Sequence, residues 1–423
     1  MTGKEGKGYA NPLSRKERTM KTKRLSYLIL SVTLMQVLGG GAIAAPPAPD
    51  NIPVGVLISL SGFDSNIGHQ AKAGYEIATE EINRAGGVFV KEYGKKIPLD
   101  IVVQDMESSP TKAVSRMEWL YTAKKVLAYV GTTMVATTGT GVAEKNKIPT
   151  IVVASPRQIH HDRGLRYWFS PTAKTPDNAR IIFDSFESTI PAEKRPKTLA
   201  MFQEQADFGI EQAEFLTKEA VQRGYKIVAH EKYSQMSKDL SPMILSAKNA
   251  GAEAILSCPV TPDAMLMMRQ MKELDYNPTM IVLIRGAEDL AWGKALGPIG
   301  DYVIMNSWHH GVRYPGVDKL NAVHQSKFGR PADMQTGPGY ASIQILAAAI
   351  EKAGTLDTTK IRDAIAATDM MTVAGNIKFR PNGTTIDPCP AVVQWLAGSQ
   401  KLVWPKEFRE TPLVYPIRPW KER

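Results

Sequence analysis

The fold of this 423-residue chain is decided by residues 52–88, which read IPVGVLISLSGFDSNIGHQAKAGYEIATEEINRAGGV. The opening residues are almost continuously apolar, which is typical of a strand buried on both faces of a parallel sheet. A loop of small residues follows, and the next stretch repeats its apolar residues at the helical period before it ends in a glycine pair. The segment therefore predicts a strand, a loop and a helix, the opening unit of an α/β domain.

Short β-branched segments alternate with longer amphipathic segments along the rest of the chain. This alternation predicts βαβ units built around parallel sheets. The predicted strands span 53–60, 97–104, 126–131, 148–154, 198–203, 226–230, 252–257, 279–284 and 301–306. The predicted helices span 70–85, 111–123, 136–146, 173–189, 208–223, 239–250, 262–274, 315–328, 338–353 and 357–368. After these helices the pattern changes to short strands.

Residues 1–44 have the composition of an export signal. A positively charged region ends at Arg24, residues 25–38 are largely apolar, and Ala42-Ile43-Ala44 offers a small-x-small cleavage site. About 14 apolar residues are too few for a bilayer-spanning helix, which needs about 20. We therefore expect a cleaved signal peptide, a mature protein in the periplasm of a Gram-negative bacterium, and an over-long start at residues 1–19.

The net charge argues against a nucleic-acid partner. Removal of residues 1–44, which hold eight basic and two acidic side chains, lowers the formal charge from +10 to +4. The remaining excess is spread along the chain without basic runs, whereas nucleic-acid binding needs a concentrated basic surface. Roughly 380 mature residues exceed the size at which one hydrophobic core stops growing, so two lobes are expected.

Cysteine is scarce for an exported protein. The chain has only Cys258, at the end of an apolar run, and Cys389, in a Pro-rich turn. A disulfide framework is therefore excluded as the basis of the fold. Two alternatives stay open: a single Cys258–Cys389 bridge, or two separate buried thiols.

Several segments, taken in order, identify a family that the chain resembles. They are VGVLISLSGFDSNIG (54–68), AGYEIATEEINRAGGV (73–88), VGTTMVATTGT (130–140), IPTIVVASP (148–156), WFSPTA (168–173) and GNIKFRPNGT (375–384). With these segments the chain resembles the periplasmic solute-binding proteins of ABC importers in the branched-chain amino acid (leucine/isoleucine/valine-binding) family. The resemblance runs from about Ile52 to Trp404. It implies an α/β fold of two doubly wound Rossmann-like lobes joined by several hinge crossovers, the type I periplasmic binding fold.

The resemblance also implies a domain layout and a function. We expect lobe 1 to comprise 51–171 plus 308–373, and lobe 2 to comprise 172–307 plus 374–415. The expected function is that of an extracytoplasmic substrate-binding protein, which closes on a small carboxylate-bearing solute and delivers it to ABC permease subunits. No enzymatic activity and no cofactor are expected, and the mature chain is expected to be a monomer. The alternative is a ligand-sensing receptor domain of the same fold, acting in signalling or amide-responsive regulation.

Hydroxyl residues follow three predicted strands of the first lobe. Ser61 follows the first strand, Thr132 and Thr133 follow the third, and Ser155 follows the fourth. In open α/β sheets, ligands bind at the carboxyl ends of the strands, where helix N-termini favour an anion. A ligand carboxylate suits these loops, although each hydroxyl could also serve as an ordinary helix cap.

The resemblance assigns further positions to the ligand site. It places an apolar wall at Ile67 and an aromatic residue of the second lobe at Phe208. It places the carboxylate-binding loop around Met134 and Val135, where the family usually has Ser, so that backbone amides or neighbouring threonines would have to replace that hydroxyl. Further contacts after the fourth strand fall on Ala154, Ser155 and Pro156.

The loop LIRGAED (283–289) leaves the ligand class open. The family places an acidic residue here to pair with the ligand's α-ammonium, but the alignment gives Arg285. An Arg fork matches a carboxylate and repels an ammonium, so Arg285 would indicate an acid without an α-amine. A small slip of the alignment would bring Glu288 or Asp289 to the site and restore amino acid binding. A third reading pairs Arg285 with Glu288 on the surface.

Catalytic and metal-binding patterns are weak. The adjacent pairs His160-His161 and His309-His310 lack the spacing of metal-binding histidines, because neighbouring side chains point apart on a strand. Gly139-Thr140-Gly141 lacks the third glycine of a dinucleotide fingerprint. We therefore expect neither a metal nor a nucleotide.

Overall fold

The computed structural model describes residues 47–423. The predicted export signal at 1–44 lies outside the described residues. Within the described range, none of the helices combines the length and the apolar character that crossing a bilayer requires.

The strands follow the predicted order closely. They are β1 (Ile52–Ile58), β2 (Val88–Val90), β3 (Lys95–Ile97), β4 (Leu99–Asp105), β5 (Ala128–Gly131), β6 (Thr150–Val152), β7 (Trp168–Phe169), β8 (Thr198–Glu204), β9 (Lys226–Tyr233), β10 (Ala254–Ser257), β11 (Met280–Leu283), β12 (Val303–Asn306), β13 (Asp369–Thr372), β14 (Gly375–Lys378), β15 (Val392–Leu396) and β16 (Ser399–Trp404).

The helices alternate with these strands. They are α1 (Ser65–Arg84), α2 (Pro110–Trp119), α3 (Thr133–Thr138), α4 (Thr140–Asn146), α5 (Thr175–Thr189), α6 (Asp207–Gln222), α7 (Ser241–Asn249), α8 (Thr261–Glu273), α9 (Ala291–Leu296), α10 (Val317–Phe328), α11 (Thr336–Ala353) and α12 (Thr358–Ala366).

The first sheet has the order β4-β1-β5-β6-β7, and all of its strand pairs are parallel. Val56 of β1 lies between Val103 and Val130 on the neighbouring strands. Strands buried on both faces must be apolar, which explains the continuous run in β1. Because the strands are parallel, their carboxyl ends lie at one edge of the sheet.

The second sheet has the order β16-β15-β12-β11-β10-β8-β9. The strands from β12 to β9 are parallel, whereas β15 and β16 join antiparallel at the other edge. Each sheet has a buried apolar core of its own, one around Tyr129 and Trp168 and the other around Phe183 and Phe186. The molecule therefore has two α/β lobes.

The chain crosses between the two sheets more than once. It leaves β7 through Ser170 to reach α5, and it leaves β12 to reach α10 and α11, which pack against α1. It then returns from β14 to β15. The first and last of these crossovers run side by side, with Ser170 N donating a hydrogen bond to Gly383 O at 2.9 Å. The predicted hinge crossovers are thus present.

The differences from the predicted elements are local. The predicted helix at 136–146 is two short helices, α3 and α4, which meet at Gly139. The β2–β3 hairpin, β7 and α9 were not predicted. Strands of two or three residues and a helix of six are too short to show a recognisable repeat of apolar residues. The hairpin β13–β14 spans the expected lobe boundary between 373 and 374.

A glycine brings helix α1 close to the end of β1. A β-carbon at Gly68 would lie 1.8 Å from the carbonyl oxygen of Ser59, which no real structure tolerates. Only glycine therefore permits this close approach. The approach sets the position of the loop between β1 and α1, and with it Asp64 and Ile67.

Candidate ligand-binding site

The carboxyl ends of both sheets face one cavity of about 250 Å³. Open α/β folds bind ligands at this edge, so the cavity is the candidate site. The residues that line it from the first sheet, here the first-sheet wall, are Asp64, Ile67, Thr133, Met134, Thr137, Ala154, Ser155, Pro156 and His160. Those that line it from the second sheet, the second-sheet wall, are Asn178, Phe208, Ile284, Arg285, Glu288, Asn306 and Ser307.

Four polar atoms of the lining are buried without a hydrogen-bond partner among residues 47–423. They are Asp64 Oδ2, Ser155 Oγ, His160 Nδ1 and Asn306 Oδ1. An unpaired buried polar atom costs roughly 1–3 kcal/mol. Four such atoms around one cavity indicate that a ligand supplies the missing hydrogen bonds.

Asp64 stands at the N-terminal end of α1 but does not cap the helix. Its side chain makes no capping hydrogen bond, although Asp is a favoured N-cap residue. Its backbone N–H donates to Ser108 Oγ at 3.0 Å, which fixes the loop. Burial raises the pKa of the Asp64 carboxyl to about 6, against an opposing effect of the positive charge on Arg285.

The loop after β6 presents Ser155 to the cavity. Ala154 has the left-handed φ of 51°, unusual for a residue with a β-carbon. The Thr133 hydroxyl donates to Ala154 O at 2.7 Å and holds this turn from α3. Ser155 is only 2% exposed, so bulk solvent does not reach its free hydroxyl, and the loop fixes its position in the cavity lining.

A fully buried lysine supports the same loop from behind. Lys174 Nζ donates to Ser155 O at 2.5 Å and to Ser170 Oγ at 2.6 Å. Burial lowers the pKa of Lys174 to about 7, while the negative charges of Asp177 and Glu211 act in the opposite direction. A positive charge can therefore form beneath Ser155 at neutral pH.

The guanidinium of Arg285 is held by the second sheet. Arg285 Nη2 donates to Glu204 Oε2 at 2.7 Å and to Cys258 O at 3.0 Å, and Nε donates to Pro259 O at 3.1 Å. The same group lies over the Phe208 ring, 5.1 Å from its centroid. The reading that pairs Arg285 with Glu288 on the surface is wrong, since the salt bridge goes to the fully buried Glu204. Most of the donors of Arg285 are thus already used.

Glu288 faces the cavity from the same loop. Burial raises the pKa of its carboxyl to about 7, Arg285 acts to lower it, and the negative charge of Asp64 raises it further. Asp64 and Glu288 line opposite walls of this one cavity. Such a pair favours a positively charged ligand group between the walls.

The rest of the lining is mainly apolar. Ile67, Met134, Phe208, Ile284 and Trp308 all border the cavity. Ligand pockets commonly combine an apolar wall with a few oriented polar groups. The cavity thus suits a small solute with charged ends and an apolar body.

The structure brings nine of the twelve predicted site residues to the cavity. They are Ile67, Thr133, Met134, Ala154, Ser155, Pro156, Phe208, Arg285 and Glu288. Whether each of them contacts a ligand stays a prediction.

The other three predicted residues lie away from the lining. Ser61 is exposed and donates to Asp105 Oδ2 at 2.9 Å. Thr132 is the buried N-cap residue of α3, and Val135 packs in the core of the first sheet. The placement of Thr132 and Val135 follows from α3, because the segment predicted to be a loop is helical from Thr133, and its successive side chains point in different directions.

Several lining residues were not predicted. Asp64 is the lining residue with the clearest signal in the sequence. It is a lone acidic residue in the loop after the first strand, within residues 52–88. Asn306 is the last residue of β12 and Trp308 follows it, where parallel strands end at the same edge. Lys174 had a weaker signal, a lysine directly after the crossover WFSPTA.

The alternative of a Cys258–Cys389 bridge is wrong, because both thiols are free. Cys258 is buried in the core of the second sheet, and burial raises the pKa of its thiol to about 12. Cys389 instead borders the cavity. The two cysteines serve different parts of the fold.

His309 and His310 are closer together than the sequence suggested. Their rings lie 4.0 Å apart, and their nitrogens come within 4.8 Å of a Glu410 oxygen, away from the cavity lining. Gly311 N donates to His309 Nδ1 at 3.0 Å, so the neutral ring carries its proton on Nε2. A protonated nitrogen is a poor metal ligand, which makes this group a weak metal site.

The sequence of the chain is similar to sequences of known binding proteins. Residues 51–400 match the sequence profile of the periplasmic binding protein family. The Leu/Ile/Val-binding protein homolog 7 of Brucella suis is 24% identical over 396 residues, which cover 89% of this chain and 96% of that protein.

Two solved structures share the fold. One is a branched-chain amino acid transporter substrate-binding protein of Streptococcus pneumoniae in complex with isoleucine, with a TM-score of 0.70, 20% identity and coverage of 84% of this chain and 100% of that one. The other is an ABC transporter solute-binding protein of Rhodopseudomonas palustris in complex with 3,4-dihydroxybenzoic acid, with a TM-score of 0.68, 17% identity and coverage of 89% and 100%. With the profile match over most of its length, the chain belongs to the periplasmic binding protein family.

Proposed function

We propose that the protein is the extracytoplasmic substrate-binding component of an ABC importer and that it binds a small solute of the amino acid type between its lobes. The lobes would comprise 51–171 plus 308–373 and 172–307 plus 374–415. Hinge closure around the solute would present the closed form to permease subunits. The mature protein would act in the periplasm as a monomer, and its chemistry would be recognition without turnover.

One observation carries this proposal: four buried polar atoms that have no partner in the described part of the chain surround one cavity between the two lobes. Such atoms are costly in a closed structure unless a ligand pairs with them. A receptor gains specificity from this arrangement, because a solute that leaves them unpaired binds weakly.

The two kinds of charge around the cavity support a zwitterion. Lys174 lies behind Ser155, which suits a carboxylate at the first-sheet wall. Glu288 presents a carboxyl from the second-sheet wall, which suits an ammonium. Names of relatives point the same way, since the Brucella protein is named as a Leu/Ile/Val-binding homolog.

An acid without an amine is less well supported. That reading required Arg285 to clamp the ligand carboxylate, but its guanidinium is occupied by Glu204 and two carbonyl oxygens. An amine-free acid would also bring a second negative charge towards Glu288 and Asp64. The sensor alternative has no residue in the cavity that favours it.

The test is the pH dependence of affinity, measured by titration calorimetry on ligand-stripped protein with a panel of amino acids and matched amine-free acids. The α-ammonium binds the ionised form of Glu288, whose pKa of about 7 makes its charge increase across the tested range. Amino acid affinity should therefore rise about tenfold from pH 5.5 to pH 7. Above about pH 7 the gain should stop, since Lys174 then loses its proton.

The variant Glu288→Gln should lower amino acid affinity by about tenfold or more and flatten this rise, because a charge-assisted hydrogen bond is lost. Asp289→Asn changes a neighbouring acid outside the cavity lining and is the matched control. Affinity that falls steadily from pH 5.5 for an amine-free acid, with no binding of amino acids, would contradict the proposal.

A further inference from the structure

The cavity holds one more acidic group than a simple amino acid requires. Glu288 is sufficient for an α-ammonium, yet Asp64 projects into the same cavity from the opposite wall. Asp64 is only 7% exposed, its Oδ2 has no partner among residues 47–423, and it does not cap its own helix. The Thr133 hydroxyl neighbours the Asp64 carboxyl, but neither a helix cap nor a salt bridge among the described residues accounts for its burial.

The charge balance of the lining is negative. Arg285 is neutralised by Glu204, and Arg157 is neutralised by Asp207 at 2.7 Å and Glu211 at 3.2 Å. Neither Asp64 nor Glu288 has a salt-bridge partner within the described part of the chain. Among residues 47–423, the unmatched charges facing the ligand are thus two carboxylates, and Lys174 is the cation close behind the first-sheet wall.

We propose that Asp64 is a second cation subsite and that the ligand is a cationic amino acid, with one nitrogen at Glu288 and a second ammonium or guanidinium at Asp64. This inference rests on the proposed function, in which Glu288 receives the α-ammonium. Two carboxylates with Lys174 leave one net negative charge, which matches a solute with two cationic groups and one carboxylate. An unpaired carboxylate in a closed cavity is costly, so a solute that pairs both is favoured.

The remaining lining suits such a solute. Ile67, Phe208 and Ile284 offer apolar contact for a chain of methylene groups between two charged ends. Trp308 and Phe63 add aromatic faces at the cavity, and a cationic nitrogen binds favourably over such a face. A cavity of about 250 Å³ is of the scale of a single amino acid rather than of a peptide.

The experiment compares ligands that differ in one nitrogen. Titration calorimetry at pH 7, where the carboxyl of Asp64 is largely ionised and Lys174 still carries part of its positive charge, uses L-lysine, L-ornithine, L-arginine, L-norleucine and L-leucine. The best of the three cationic ligands should bind at least about tenfold more tightly than L-norleucine, as expected for one charge-assisted hydrogen bond.

The variants separate the two carboxyls. Asp64→Asn should reduce the affinity of the cationic ligand to about that of L-norleucine and leave L-norleucine unchanged. Glu288→Gln should weaken every amino acid. Asp100→Asn removes an exposed acid from β4, outside the lining, and should change neither affinity. Thermal unfolding checks that each variant is folded, and Asp64→Ser, which has a smaller uncharged polar side chain, replaces Asp64→Asn if that variant is unfolded.

The outcomes are distinguishable. If L-leucine or L-norleucine binds as tightly as the cationic amino acids, the inference fails and the proposed function stands. If Asp64→Asn weakens L-lysine and L-norleucine equally, Asp64 shares the α-ammonium with Glu288, and the second subsite is again wrong. If no amino acid binds, the proposed function fails and the inference fails with it.

Discussion

The two walls of the cavity are built in different ways. In the second-sheet wall, Arg285 is held by Glu204, Cys258 O and Pro259 O before any ligand arrives. In the first-sheet wall, Asp64, Ser155 and His160 each carry a buried polar atom without a partner among residues 47–423. The protein itself holds the Arg285 guanidinium, whereas the unpaired atoms of the first-sheet wall, together with Asn306 Oδ1 of the second, are left for the ligand.

This difference separates stability from affinity. A salt bridge that is already complete contributes to the folded state whether or not ligand is present. A buried atom without a partner adds nothing to stability and gains its hydrogen bond only on binding. Substitutions in the two walls should therefore have opposite signatures.

The largest effect on stability is expected in the second-sheet wall. Glu204→Ala leaves the Arg285 guanidinium without its carboxylate and also removes the acceptor of Val260 N. Breaking a buried ion pair costs about 3–5 kcal/mol, which should appear as a lower free energy of unfolding in denaturant titrations. Glu214→Ala, at an exposed site on α6, is the control and should cost less than about 0.5 kcal/mol. Equal stability of the two variants would show that Glu204 is not needed to hold this wall.

An intermediate effect is expected where α1 approaches β1. Gly68→Ala places a β-carbon against Ser59 O and should cost about 1–3 kcal/mol by overpacking. The same substitution should weaken ligand binding, because it displaces the loop that carries Asp64. Gly141→Ala is the control, since a β-carbon there meets nothing within 4 Å and alanine favours a helix. Thermal unfolding and calorimetry of both variants give the comparison, and an unchanged affinity for Gly68→Ala would mean that the loop tolerates the shift.

The smallest effect on stability is expected in the first-sheet wall. Ser155→Ala removes a buried hydroxyl that has no partner, so the free energy of unfolding should change by less than about 0.5 kcal/mol or rise. Ligand affinity should fall about tenfold, since the hydroxyl is then missing from the site. Ser115→Ala, at an exposed site on α2, should change neither quantity. A loss of stability without a loss of affinity would reverse the assignment of the two walls.

Most of the fold was predictable because each strand is a short, strongly apolar run that can be recognised from its own residues. The run from Ile52 to Ile58 must be buried on both faces, and no helical period competes with it. The requirement for glycine at Gly139, where α3 and α4 meet, was not predictable, because it comes from Met117, whose sulfur would lie 2.5 Å from a β-carbon at that position. Contacts between residues far apart in the sequence have no local pattern.

The location of the site was predictable, but the hydrogen-bond and salt-bridge partners of its charged side chains were not. Parallel strands bring Thr133 and Ser155 to one edge, as expected from the positions of their loops. The role of Arg285 depended on Glu204, 81 positions earlier, and no spacing rule connects the two. Asp64 was missed for a related reason, since an Asp before a helix ordinarily caps it, and only the structure shows that this one does not.

The left-handed backbone of Ala154 and Arg285 has a consequence for the thermodynamics of binding. One lies in each wall, with φ of 51° and 68°, where glycine would be the less strained residue. A glycine would also give each loop more conformations to lose when a solute is enclosed. The chain accepts a backbone cost of about 1–2 kcal/mol at each position. In return, both loops are already ordered before the solute arrives, so less of the intrinsic binding energy is lost as conformational entropy.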